Sequence, residues 1–374
     1  MRADPGDRAA EWLQAWDSQG FHRTATEGDE AGADWLTAEA ERMGAQVDNE
    51  LFALDRVEQV EASVVVDGIP VEGLKMFDSP DTDPGGTDSV HVVELAPSAV
   101  YGREFRDLRT GMSSGAIVVV TTGDRPGLAL LNAESFVSPF GPPVLQVSSS
   151  EAERITSAST KRVTIASRRT STIGRNVVVT VPGTDPSLKP LVVMTPRSAW
   201  WQSTSDRGGG LVCWLHVLRA LMVSPPRPTV VMTANTGHEL GHIGLDDFLA
   251  RRPGWEQPDG ATWVHFGANL GATDGRLTIQ SSSEELRSAK ATELVKAGNP
   301  ADGLSPEGTV PYGETRDIHL AGGRYVTLVG TNPLFHLPDD RWPHAVNVDS
   351  VARIAQAATR VVLSLARQPR SRSS

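Results

Sequence analysis

One stretch, residues 228–247 (PTVVMTANTGHELGHIGLDD), constrains the fold more than any other part of the chain. Its β-branched and apolar run at 229–233 predicts a buried strand, which ends in a polar loop. Two histidines and a glutamate follow at once: His238, Glu239 and His242. Because open α/β sheets carry their chemistry where strands end, this point is a candidate functional site.

The string from His238 to His242 has the H-E-x-x-H pattern of zinc proteases. In that pattern both histidines bind zinc from one helix face, and Glu239 is the general base. Gly241 and Gly244 weaken such a helix by about 1 kcal/mol each relative to alanine. The motif also stands at the end of a strand instead of within a helix. Both observations argue against the H-E-x-x-H interpretation, which stays an alternative.

Composition limits the classes of function. The chain has 374 residues, enough for two domains, and a net charge of -11, which argues against a nucleic-acid surface. It has no apolar run of membrane-spanning length. The single cysteine, Cys213, excludes an intramolecular disulfide. The first residues have no apolar core typical of a signal peptide, so we expect a cytoplasmic protein with no nucleic-acid or membrane partner.

Two kinds of pattern divide the chain. Residues 60–166 are rich in short strand patterns, among them an apolar run at 128–131 that predicts a further strand. From about residue 170 strands alternate with helices, which predicts an α/β domain with a mostly parallel mixed sheet flanked by helices. We expect residues 1–59 and 167–374 to form this domain, with 60–166 inserted as a small β-rich domain.

Short motifs follow the predicted strand ends of the α/β part. In chain order they are P-R-S-A around Arg197, S-D-R-G-G-G around Asp206, H-E-L-G with Glu239, A-N-L-G with Asn269, and F-H-L-P-D-D with His336. This order resembles the zinc-dependent aminopeptidases of the bacterial leucyl-aminopeptidase type, a group that also includes the glutaminyl cyclases. Many of those peptidases carry an inserted protease-associated domain, which residues 60–166 resemble.

The resemblance implies one zinc ion. In two-zinc members one metal is held by a bridging Asp, the second Glu of a pair and a late His, matched here by Asp206, Glu239 and His336. The second metal of those members would lack its own ligands here, because Arg197 and Asn269 stand near the positions of the family's early His and later Asp. Three protein ligands with an open fourth position are typical of a catalytic zinc. Arg197 would then fix a substrate carboxylate or supply positive charge in place of the second metal.

The resemblance also makes His238 the counterpart of the family's general base, a glutamate. Histidine can act as a base because its ordinary pKa lies near neutrality. The sequence leaves two other roles open for His238: a further metal ligand, or an inert replacement in a protein that no longer catalyses.

Each candidate also has a purely structural interpretation. Alone, Asp206 could be a helix N-cap, Glu239 a solvated glutamate in a first turn, and His336 a hydrogen-bonded core histidine. The metal hypothesis depends on the three together. Trp200 and Trp201 could line a substrate pocket or pack against the insert. Further candidates for a substrate pocket are Asn269, Glu314 and His319, although most polar loop residues are simply solvated.

The leading hypothesis is a single-zinc hydrolase that cleaves an amide or peptide bond of a small substrate, with His238 as base. One alternative is a non-catalytic binding member that has lost peptidase activity. The other is aminoacyl transfer or cyclisation on the same scaffold. The sequence leaves open the substrate, and whether the insert closes over the pocket, forms a homodimer, or does neither.

Overall fold

The computed structural model describes residues 5–367, which form nine α-helices and thirteen β-strands. The helices are α1 Pro5–Asp17, α2 Glu27–Arg42, α3 Arg103–Gly111, α4 Ala152–Ser157, α5 Gly209–Val223, α6 Ile243–Ala250, α7 Glu284–Lys296, α8 Thr315–Leu320 and α9 Val348–Arg367. The strands are β1 Val47–Val66, β2 Ile69–Glu72, β3 Leu74–Lys75, β4 Val90–Leu95, β5 Ala116–Thr121, β6 Val144–Ser148, β7 Lys161–Val181, β8 Leu191–Pro196, β9 Val230–Asn235, β10 Thr262–Phe266, β11 Leu277–Ser281, β12 Gly303–Leu304 and β13 Arg324–Gly330.

A nine-stranded sheet forms the centre of the fold, in the order β12-β11-β13-β10-β8-β9-β7-β1-β2. The four central strands β13, β10, β8 and β9 run parallel. On one side β11 pairs antiparallel with β13 and parallel with the edge strand β12, and on the other side β7, β1 and β2 follow β9 in antiparallel pairs. The predicted α/β class, a large mixed sheet flanked by helices, is confirmed.

Alternating side chains of the sheet build two hydrophobic layers. Along β7, Val177 and Val179 pack in the layer formed with α1, α2, α5, α7 and α9, whereas Val178 packs on the opposite face with α6 and α8. Helix α5 (GGLVCWLHVLRALMV) is apolar nearly all round and lies buried in the first layer. No helix within residues 5–367 is both long and apolar enough to cross a membrane.

A long antiparallel ribbon of β1 and β7 connects the central sheet to a second, four-stranded sheet. The ribbon runs from the pair Val47 and Val179 to the pair Val66 and Lys161, with a bulge near Gln59. The second sheet has the order β3-β6-β5-β4. The domain boundaries predicted at residues 60 and 166 fall inside the two ribbon strands.

The prediction of a strand at 128–131 is wrong. The segment is almost fully buried, but its N–H groups bond side chains instead of a neighbouring strand. Ala129 N donates to Thr121 Oγ1 (3.0 Å), and Leu131 N donates to Gln146 Oε1 (2.6 Å). Side-chain acceptors satisfy the buried backbone here, so no ladder forms.

Candidate functional site

The parallel strands β8, β9, β10 and β13 end at one edge of the sheet, where open α/β folds place their sites. After β8 the chain makes a left-handed turn at Ser203 (φ 50°) and a π-helical turn at Thr204–Gly208 that leads into α5. Gly209 is required there, because a Cβ atom would lie 2.0 Å from the carbonyl oxygen of Leu270. The π turn places the Asp206 carboxylate inside the protein.

Asp206 and His336 face each other in this buried edge. Asp206 Oδ2 lies 4.0 Å from His336 Nε2, and neither atom has a hydrogen-bond partner. His336 Nδ1 is hydrogen-bonded to the carbonyl oxygen of Leu130. Because a carbonyl only accepts, Nδ1 carries the proton and Nε2 turns its lone pair towards Asp206. Two members of the predicted trio are therefore adjacent, with unpartnered donor atoms.

The second oxygen of Asp206 is bound by an arginine that sequence reasoning did not single out. Arg207 is 1% exposed, and its guanidinium donates to Asp206 Oδ1 (2.7 Å) and, through Nε, to the carbonyl of Ser198 (2.7 Å). A positive charge is thus built into the site beside Asp206. The signal was present in the sequence, because Arg207 directly follows the candidate ligand.

Both carboxylate oxygens of Glu239 are hydrogen-bonded to protein groups. Oε1 accepts from the Thr24 N–H (2.6 Å), and Oε2 accepts from the Ser198 hydroxyl (2.7 Å). The Ser198 hydroxyl accepts in turn from the His238 backbone N–H (3.0 Å). Glu239 is completely buried and is held by the loop between α1 and α2, which contains Thr24.

His238 belongs to a second buried cluster. Its Nδ1 lies 3.3 Å from Glu314 Oε1, and the other oxygen of Glu314 lies 3.3 Å from His265 Nε2. His265 Nδ1 is fixed by the Thr327 hydroxyl at 2.7 Å. Burial is the main cause that lowers the pKa of His238 to about 4, and the charge of Arg207 contributes in the same direction. His238 is therefore a neutral imidazole at pH 7 that lies beside a carboxylate, and neither His238 Nδ1 nor Glu314 Oε1 makes a hydrogen bond.

Solved structures share this architecture along the whole chain. A zinc aminopeptidase from Bacillus subtilis superposes with a TM-score of 0.73 at 15% identity, covering 97% of this chain and 96% of that one. An aminopeptidase from Aneurinibacillus sp. strain AM-1 gives 0.72 at 14% identity, covering 100% and 96%. The glutaminyl cyclase of Fimbriiglobus ruber gives 0.55 at 12% identity, covering 97% and 96%. No family model and no curated protein sequence matches the chain.

The chain has the zinc-aminopeptidase fold. The predicted resemblance is confirmed for the fold, and at 10–15% identity the likeness concerns the fold alone. The fold implies zinc, but the side chains do not fit a three-ligand ion. Within residues 5–367, no three His, Cys, Asp or Glu side chains are arranged to hold one metal. Asp206 and His336 offer two facing atoms, whereas the oxygens of Glu239 are taken up by Thr24 and Ser198.

The aminopeptidase-like backbone also breaks the helix that H-E-x-x-H requires. Residues His238–Leu240 form one 3-10 turn between the left-handed residues Gly237 and Gly241, and His242 is left-handed as well (φ 66°). Helix α6 begins only after His242. Burial disfavours the charged form of His242, but its 2.7 Å hydrogen bond to Asp317 and the charges of the nearby carboxylates together outweigh burial and raise its pKa. The two histidines therefore do not share a helix face.

Arg197 has a different surrounding from the one its predicted role requires. Its guanidinium is fully buried and pairs with Asp29 of α2, at 2.6 Å from Nη1 to Oδ1, and Nη2 donates to the carbonyl of Arg175 (2.7 Å). The cation that contacts Asp206 is Arg207. In this fold Arg197 joins α2 to the sheet.

The remaining candidates divide between the site and its surroundings. Trp200 is buried and donates to Asn132 Oδ1 of the insert (2.8 Å), while half-buried Trp201 donates to the carbonyl of His336 (2.8 Å). Asn269 is left-handed (φ 63°), and its N–H donates to the carbonyl of Asp206 (3.2 Å). His319 bonds the Tyr325 hydroxyl at 3.0 Å and does not enter either cluster.

A segment of the insert, residues 128–136, covers the site; we call it the covering segment. Leu130 bonds His336, Asn132 bonds Trp200, and the Ala133 N–H donates to the carbonyl of Glu239 (2.9 Å). Apolar side chains of the segment pack in one cluster with Trp200 and Leu240. The covering segment explains why the site residues are almost completely buried.

Proposed function

We propose that this chain is a non-catalytic member of the zinc-aminopeptidase fold, which binds a small peptide or amide without hydrolysing it. The observation that carries the proposal is that both oxygens of Glu239 and one oxygen of Asp206 are already bonded to protein groups. Glu239 is bonded to Thr24 and Ser198, and Asp206 is bonded to Arg207. A cytoplasmic location and a protease-associated character of the insert remain predictions.

Charge balance supports a site that is complete without metal. Buried carboxylates need a compensating charge or several hydrogen bonds. Asp206 has the guanidinium of Arg207, and Glu239 has two hydrogen bonds together with the nearby charge of Arg23. A catalytic zinc ordinarily supplies that compensation and presents a water in its open position.

The test separates binding from turnover. Protein purified without chelator is assayed against a panel of aminoacyl amides, N-acyl amino acids and dipeptides with added zinc, and its zinc content is measured. We expect less than about 0.1 zinc per chain, no hydrolysis, and a rise in melting temperature with at least one compound of the panel. Stoichiometric zinc that is lost in both Asp206→Asn and His336→Gln, accompanied by hydrolysis, would refute the proposal.

The hydrolase predicted from sequence is the second candidate, because of the pair formed by His238 and Glu314. A neutral imidazole with a buried carboxylate 3.3 Å from its Nδ1 is close to the arrangement of a general base. In a hydrolase His238 would take the proton of the attacking water, while Glu314 holds the ring. Turnover that falls at least about 100-fold in His238→Gln would favour this candidate. Turnover that is equal in His238→Gln and the parent would reject the base.

A further inference from the structure

Arg207 occupies an unusual position for an arginine. Its side chain is 1% exposed and belongs to the same π turn as Asp206. Its Nη1 donates to the Asp206 carboxylate (2.7 Å) and also to the Asp206 carbonyl (3.2 Å). Arginine keeps its charge even when buried, so this site contains a permanent cation.

The cation acts on the same groups that a metal ion would use. Asp206 is bound by Arg207 through one oxygen, and its other oxygen faces His336 Nε2 at 4.0 Å. A divalent ion between Asp206 and His336 would meet the repulsion of a guanidinium that is already bound to its carboxylate ligand.

We infer that Arg207 is the resident cation of this site and excludes divalent metal from Asp206 and His336. The inference rests on the proposed zinc-free function and names its cause. It predicts that loss of the Arg207 charge creates metal affinity, because the unpartnered atoms of Asp206 and His336 then remain without a competing cation.

The experiment compares zinc binding in matched variants. Arg207→Gln keeps hydrogen-bond donors without charge, Arg207→Met removes both, and Arg207→Lys keeps a cation. Arg109→Met is the control, because Arg109 and Asp78 form an equally buried pair within the insert (3.1 Å). Each protein is titrated with zinc against a chromophoric chelator, and its melting temperature is recorded with and without zinc.

We expect the Gln and Met variants to bind about one zinc per chain, at least about tenfold more tightly than the parent, with a higher melting temperature in zinc. Addition of Asp206→Asn or His336→Gln removes that gain. The parent, Arg207→Lys and Arg109→Met show no such binding.

Two outcomes overturn the inference, and they are distinguishable. If the parent and the folded Gln and Met variants all lack zinc, Arg207 is not the cause of exclusion, while the zinc-free function stands. If the parent already holds one zinc that Asp206→Asn releases, both proposals fail. If Arg207→Met does not fold, the result for Arg207→Gln decides, because Gln retains a hydrogen-bond donor towards Asp206.

Discussion

Replacing Arg197 by methionine tests whether this residue is structural. Arg197 and Asp29 are both completely buried, and the guanidinium bonds the Asp29 carboxylate, the Asp29 carbonyl and the carbonyl of Arg175. Asp29 Oδ2 retains only Ala25 N (2.8 Å) and the Thr236 hydroxyl (2.7 Å) after the change. Breaking a buried pair on one side costs about 3–5 kcal/mol, so we expect a loss of about 3 kcal/mol in the free energy of unfolding at pH 6.

The stability lost in Arg197→Met should increase with pH. Burial raises the pKa of Asp29 to about 6, although the charge of Arg197 opposes this shift. A folded-state pKa above the ordinary 3.8 means that the stability this carboxyl contributes is present at low pH and is lost as the pH rises. Without Arg197 the pKa is higher still, so the folded variant holds its proton above pH 6. The stability difference from the parent then grows by up to about 1.4 kcal/mol per pH unit.

The assay is urea unfolding of four proteins at pH 6 and pH 8: the parent, Arg197→Met, Asp29→Asn and the double variant. We expect the double variant to lose at least about 2 kcal/mol less than the sum of the singles. The exposed pair of Arg162 and Asp88 is the matched control, and its double replacement should change stability by less than about 0.5 kcal/mol. A loss below about 1 kcal/mol for Arg197→Met, or a difference independent of pH, would refute the structural role.

Two further predictions concern the covering segment and the response to acid. Gly241→Ala places a Cβ 2.9 Å from the Glu134 carbonyl oxygen at positive φ, whereas Gly254→Ala has the same strain with open space around it. We expect the free energy of unfolding to fall by about 1 kcal/mol in Gly254→Ala and by about 2–4 kcal/mol in Gly241→Ala. Hydrogen exchange at 128–136 should become faster only in Gly241→Ala, and equal exchange in both variants would contradict the contact. Burial lowers the pKa of His216 to about 4, so its contribution is present above pH 6.5 and is lost as the pH falls towards 4. In unfolding experiments His216→Phe should reduce the change in stability between these pH values by at most about 3 kcal/mol. If His216→Phe has the same pH profile of stability as the variant of an exposed histidine, His344→Gln, this prediction is wrong.

The sequence was informative where a local pattern coincides with a strand end. The apolar β-branched run at 229–233 predicted β9, and the motifs after the predicted strands include Asp206 and His336, which meet at one edge. The reason is geometric, because parallel strands deliver their C-terminal ends to the same place. Here the fold prediction needed no knowledge of individual side-chain partners.

Partners distant in sequence could not be predicted in this way. Arg197 bonds Asp29 across 168 positions, and Glu239 bonds Thr24 across 215. Both partners lie in or beside α2, whose own helical pattern says nothing about which carboxylate or N–H will face the sheet. Arg207 was missed for another reason: arginine is not a metal-ligand type, yet a cation beside a ligand changes the site just as much.

The stretch at 228–247 shows why a motif string does not assign chemistry by itself. Left-handed backbone at Gly237, Gly241 and His242 replaces the helix that would align the two histidines. As a consequence Glu239 turns towards Thr24 and Ser198, while the histidines turn towards Glu314 and Asp317. Adjacent residues of the motif thus have different partners: Glu239 lies in one group of side chains and His238 in another. Only the group around His238 resembles the surroundings of a general base. If His238→Gln proves silent in every assay while Arg207→Gln gains zinc, the five-residue string contributes only to packing, and Arg207 determines whether the site can hold a metal.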